Sequence, residues 1–172
     1  MTPERFNTSA PLLVGIVPNQ HPEVLQTAAA LAVKLSTPLV CAYVDEASYL
    51  VEWDPARSAH RLSLHPEKND DDIRAVTVEL GAVIESAMHE AAAGGAPPEW
   101  SLRTLAGDPA RALARLAAES NAPMIIVGTS ERGLVHKISE VLNGSVGAWL
   151  THHQSKPVLL VPYRMPAHQD GL

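Results

Sequence analysis

The stretch with the greatest capacity for chemistry is Gly128-Thr129-Ser130-Glu131-Arg132-Gly133, which continues to Asn143-Gly144-Ser145-Val146. Gly128 follows a short, wholly apolar run at 124–127. A glycine in that place lets a ligand come close to the backbone. Gly144 and Ser145 stand where a helix is expected to begin, and there unpaired N–H groups and a hydroxyl can meet an anion. Each glycine taken alone is a turn or a helix cap. As a pair, flanking one loop beyond a buried strand, they outline a phosphate cradle.

Other chemistries find less support. No G-x-x-x-x-G-K-[ST] occurs, so the chain is not an ordinary P-loop protein. No G-x-G-x-x-G follows the first apolar run, which excludes a Rossmann-type dinucleotide fingerprint there. Gly128-Thr129-Ser130 begins like the G-x-S-x-G nucleophile elbow, but Arg132 occupies the second glycine's place and is too bulky for that turn. The eight histidines form no H-x-x-x-H pair on a helix, and the adjacent His152 and His153 would point about 100° apart on one. No metal site is expected, and no residue is assigned a catalytic role. The triplet Asp70-Asp71-Asp72 reads as a helix start, where the dipole favours negative charge.

Five short runs must position these residues: apolar ones at 12–17, 39–44, 124–127 and 158–161, and one at 100–105 in which Trp100, Leu102 and Thr104 alternate with Ser101, Arg103 and Leu105. Helical spacing lies between them. Val24, Leu25, Ala28, Leu31, Ala32 and Leu35 recur on one face of a helix over 22–36, with Pro22 in its first turn. A second helix is expected over about 70–93, stopped by Gly94-Gly95. Asp108 is placed as N-cap and Pro109 as first residue of a third helix that ends near Ser120-Asn121. A short last helix spans 144–153, with Trp149 as a packing residue. Alternating strands and helices predict an α/β fold: one open five-stranded parallel sheet with helices on both faces. Ligands of such sheets bind beyond the carboxyl ends of the strands, where the strand order reverses. Residues 46–69 are too long for an ordinary connection; they form either a lid over those ends or a surface excursion.

Bulk properties narrow the partners. The chain has 172 residues, of which 46% are hydrophobic and 4% aromatic, so one domain with an aliphatic core is expected. A net charge of −6 argues against nucleic acid and against anionic membranes. No run reaches the roughly 20 apolar residues of a membrane helix. The single cysteine, Cys41, fits a reducing compartment, and the protein is expected in the cytoplasm.

The order of elements, Ile125-Ile126-Val127-Gly128-Thr129, Gly144-Ser145-Val146 and Lys156-Pro157-Val158-Leu159-Leu160-Val161-Pro162 resemble the universal stress protein family. Gly107-Asp108-Pro109 is similar to that family's turn into its third helix. The resemblance covers about residues 12–163. It implies a Rossmann-like sheet of the adenine nucleotide alpha hydrolase type with strand order 3-2-1-4-5, a flexible arm at 1–11 and a tail at 164–172. It also implies an adenine nucleotide, ATP or another, with or without Mg. Nucleotide-binding members carry G-x2-G-x9-G-[ST]. Gly128 matches the first glycine, and Gly144 and Ser145 match the last pair, flanked by Thr129 and Val146. Glu131 holds the second glycine's place, Gly144 comes three residues late, and Gly133 substitutes as the flexible point. Members that bind usually end the first strand in an acid; Val17 stands there. The family holds adenine by backbone of the second strand, near Tyr43.

These departures leave two main readings, with an enzyme such as a slow ATPase or phosphotransferase as a third behind them. One is a stress-response or signalling module that binds nucleotide, at most a slow ATPase. The other is an interaction protein of the same fold without nucleotide. Glu131 beside a phosphate would cost about 1 kcal/mol at an effective dielectric near that of water, which Arg132, His136 and Lys137 could offset. The flat apolar strand from Val158 to Val161 is expected at a sheet edge, where it would join a homodimer.

Overall fold

A computed structural model describes residues 10–45, 70–129 and 146–162. Five strands, β1 (Leu12–Ile16), β2 (Leu39–Asp45), β3 (Trp100–Ala106), β4 (Ile125–Thr129) and β5 (Val158–Pro162), form one sheet in the order β3-β2-β1-β4-β5. Every neighbouring pair is parallel. The sequence-based fold class and strand order are therefore those of the molecule. The helices are α1 (Pro22–Leu35), α2 (Asp70–Ala92), α3 (Pro109–Glu119) and α4 (Val146–His153). None of the described helices is long and apolar enough to cross a membrane.

The helix ends follow local chemistry. His21 caps α1, its Nδ1 accepting from the Glu23 N–H at 3.3 Å, and Pro22 opens the first turn. Asp108 caps α3, its Oδ1 accepting from the Arg111 N–H at 2.9 Å, with Pro109 next. α2 ends at Ala92, two positions before Gly94. Ala93 already has φ +47°, and Gly94 follows at φ +89°. A left-handed residue closes a helix by turning its next N–H groups back on the last carbonyls.

Two apolar layers sandwich the sheet. On one face α1 and α2 cover Leu12, Val14, Ile16, Cys41, Tyr43 and Ile126. On the other, α3 and α4 cover Leu13, Ala42, Val44, Ile125 and Val127. Neighbours along each strand thus serve opposite layers, as the pleat requires. Burial on both faces explains why β1, β2 and β4 read as continuous apolar runs, whereas the outer strand β3, with Ser101, Arg103 and Thr104 exposed, alternates. Leu35, placed by spacing on the inner stripe of α1, turns outward at the helix end. Two glycines set the closeness of the second layer. A Cβ on Gly15 would lie 3.0 Å from Leu113 Cδ1, and one on Gly147 would lie 2.6 Å from Leu160 Cδ2.

Two boundaries differ from the sequence reading near the site. Strand β1 stops at Ile16, and Val17 begins a turn: its N–H donates to Gln20 Oε1 at 3.3 Å, and its carbonyl accepts from the Gln20 N–H at 3.2 Å. Strand β4 starts at Ile125 and runs through Thr129, because β5 offers partners that far: Gly128 pairs with Val161 and Thr129 with Pro162. Gly128 and Thr129 therefore lie in a strand rather than in the loop after it.

Candidate functional site

The carboxyl ends of five parallel strands form one rim, and the order β3-β2-β1-β4-β5 places the reversal between β1 and β4. Ile16 pairs with Tyr43 on one side of β1. On the other side Val14 pairs with Ile126, so the register carried two residues further sets Ile16 level with Gly128. Gly128, Ile16 and Tyr43 thus stand in one row across β4, β1 and β2. A ligand lying over the end of β1 would meet Gly128 on one flank and β2 on the other.

Val17 lies just past that row and is 52% exposed. It helps line a cavity of about 150 Å³ between the end of β1, the start of α1 and the middle of α2. Ile16, Leu25 and Val83 supply apolar wall; His21 and Glu79 supply polar atoms. A larger cavity of about 360 Å³ lies among Thr37, Pro38 and Glu99, at the amino ends of β2 and β3. It lies at the rim opposite the carboxyl ends, where ligands of open parallel sheets gather.

Tyr43 is buried at 8% exposure, with its ring in the layer under α1 and α2. Its backbone runs in the ladder between Ile16 and Thr104. Strand β2 continues for two residues beyond the last β1 pair, with Val44 and Asp45 paired to Leu105 and Ala106 of β3. β2 thus runs past its last β1 partner by Val44 and Asp45, just beyond the residue singled out from sequence. Asp45, directly after the apolar run at 39–44, is buried at 3% exposure and is not among the site residues expected from sequence. The signal was present: an acid ending a central strand on the ligand side of the sheet.

The remaining site residues divide. Thr129 is half-buried, and its hydroxyl donates to the Val161 carbonyl at 3.5 Å. Val146 opens α4 and packs against the layer on the α3 side. Gly133, Gly144 and Ser145 lie outside the described residues, as do Ser130, Glu131, Arg132, His136, Lys137 and the stretch 46–69. At the far end of α4, His152 and His153 are exposed; His153 stacks on Trp149 with ring centres 4.6 Å apart. Among the described residues no group of three His, Cys, Asp or Glu side chains is placed to hold a metal ion.

The sequence profile of the universal stress protein family matches residues 10–162. The chain belongs to that family. No curated protein sequence matches it. Among solved structures it is similar to a universal stress protein from Archaeoglobus fulgidus, at 19% identity and a TM-score of 0.61 over 87% of this chain and 96% of that one. A universal stress protein in complex with cAMP is 21% identical, with a TM-score of 0.55 over 90% of this chain and 98% of that one. The Archaeoglobus fulgidus protein in complex with dAMP is 18% identical, with a TM-score of 0.56 over 89% and 98%. At these identities the likeness speaks for the fold, and what the relatives bind is a fact about the relatives.

Proposed function

We propose that this universal stress protein binds an adenine nucleotide, ATP being the first to try, at the carboxyl rim between β2 and β4, and acts in stress response or signalling in the cytoplasm. The observation that carries this reading is the row of Gly128, Ile16 and Tyr43 beside the Val17-lined cavity. Apolar walls suit a planar base, and a glycine on the strand next to the reversal allows phosphate or ribose to approach the chain. Relatives of the same fold in complex with cAMP and dAMP support the ligand class. Isothermal titration with ATP and Mg is expected to show binding at micromolar concentrations, about −8 kcal/mol. An absence of heat at high micromolar protein, with an intact fold by circular dichroism, would overturn the reading.

Val17 favours a second reading. Its exposed apolar side chain replaces the acid that binding members usually place there. A protein of this kind would act through partner contacts alone, and co-purified nucleotide would exclude it. Among the described residues none stands out to orient a nucleophile for phosphoryl transfer, and at most a slow ATPase activity is expected.

Self-association is part of the proposal. β5 is an outer strand of the sheet, and its Leu160 is 38% exposed. Outer strands offer unpaired backbone groups to a second chain, and charge on them opposes that pairing. Light scattering at tens of micromolar should give twice the 18.4 kDa chain mass. Leu160→Lys should shift the mass toward one chain. A monomeric wild type would reject the dimer.

A further inference from the structure

The geometry points to residues 1–9 as the occupant of the cavity at the amino ends of β2 and β3, with Phe6 as the anchor. This concerns the rim opposite the proposed nucleotide site, and it stands whether or not nucleotide binds.

The cavity of about 360 Å³ lies between the end of α1 and the chain that leads into β3. Val33, Pro38, Ala96 and Pro98 give it apolar walls, and Glu99 adds a carboxylate. Ala96 and Glu99 are exposed, so the cavity reaches the surface there. The last turn of α1, the negative end of that helix, borders the same space. A cavity of roughly 150 Å³ holds a benzene ring. This one takes a phenyl side chain together with the backbone that carries it.

The chain enters β1 along the cavity wall. The Thr37 hydroxyl donates to the Ala10 carbonyl at 2.7 Å, and the Leu12 N–H donates to the Pro38 carbonyl at 2.9 Å. Thr37 and Pro38 both line the cavity. Ala10 is itself buried. Phe6 is four positions before Ala10. Four residues reach up to about 14 Å, which brings the cavity within range of its ring.

The residues suit the place. Phe6 is the single phenylalanine of the chain, set in the polar stretch Glu4-Arg5-Phe6-Asn7-Thr8-Ser9. An aromatic ring carries a large apolar area on few rotatable bonds, so one is enough to anchor a short segment. Arg5 beside it brings positive charge to Glu99 and to the negative helix end.

The other stretches outside the described residues depart from the opposite rim. Residues 46–69 connect the end of β2 to the start of α2, residues 130–145 connect the end of β4 to the start of α4, and residues 163–172 follow β5. The seven residues of β2 separate the two rims by about 20 Å.

Limited trypsin digestion of the full chain tests the inference, with cleavage after Arg5 followed by mass spectrometry. A free peptide of residues 1–11 supplies the reference rate. In the folded protein the cut should be about 10- to 100-fold slower, the protection that burial of one aromatic side chain gives when opening is fast. Phe6→Ala should restore the rate of a peptide with the same change. Glu99→Lys and Ala96→Arg, both at exposed positions on the cavity wall, should each speed the cut several-fold. Thermal melts establish which of these two is folded, and either alone carries the test. Cleavage of wild type at the peptide's rate overturns the inference. Protection that a folded cavity variant leaves intact overturns it too, because the segment then rests elsewhere. Protection that fades on dilution does the same, by assigning the cover to a second chain.

Discussion

At pH 8 the native protein should react with a disulfide reagent about a thousand times more slowly than the same chain unfolded in guanidinium. Cys41 lies in the middle of β2 with no exposed surface, between layers of aliphatic side chains. Burial pushes its thiol up from about 9 to about 12, because the thiolate loses its hydration there. The thiolate is the reactive form, so three units translate into about a thousandfold lower reactive fraction, before any steric barrier is counted. A colorimetric thiol assay with and without denaturant measures it; similar rates would show that β2 is not enclosed as described. The same shift links stability to pH. Between about 9 and 12 the unfolded chain loses the thiol proton and the folded one keeps it. Fewer protons bound when unfolded means that stability falls as pH rises through that window, by up to about 1.4 kcal/mol per unit. Below the window the thiol contributes no pH dependence. Cys41→Ser should flatten the alkaline limb relative to wild type.

Ile126→Ala should lower the unfolding free energy by about 2–5 kcal/mol. Ile126 is wholly buried in β4 and packs in the layer shared by α1, α2 and the sheet. Removing its outer carbons leaves a cavity that a close-packed aliphatic layer fills poorly. For a domain of this length the midpoint should fall by on the order of 5–15 °C. Ile126→Val, which deletes one carbon, should cost about 0.5–1.5 kcal/mol. Equal losses in the two variants would mean that the layer collapses around the gap. Since β4 also carries Gly128 to the rim, Ile126→Ala should weaken ligand binding only to the extent that it unfolds the chain.

Much of the fold was legible because the strands are parallel and covered on both faces. That arrangement demands unbroken apolar runs, and 39–44 or 158–161 can hardly be read otherwise. Asp108-Pro109 announced a helix start by local hydrogen bonding alone, and the structure places the cap there. Strand ends were less legible, since a strand ends where its neighbour ends. Nothing local says that Gly128 and Thr129 stay in β4; Val161 and Pro162, more than thirty residues on, decide it. The site was half legible for the same reason. Gly128 announces itself as a glycine after apolar residues. Asp45 is notable only once its burial is known, and burial depends on elements far away in the chain. Tyr43 follows from the resemblance alone, and only the ladder shows β2 running two residues past it to Asp45.

The pairing of β1 with β4 has a consequence for how the molecule is made. Leu13 meets Ile125, while β1, β2 and β3 can assemble with their own connecting helices well before Ile125 is synthesised. At roughly 5–20 residues per second on the ribosome, the flank of β1 that will later hold β4 waits for several seconds. During that interval it is a row of open amides and carbonyls on an apolar strand, the kind of surface that captures neighbouring nascent chains. Closing so distant a contact is also slow for entropic reasons. The newborn chain is therefore most exposed to aggregation when its first three strands are finished and its fourth is not, and a chaperone acting on that half-sheet would protect it most.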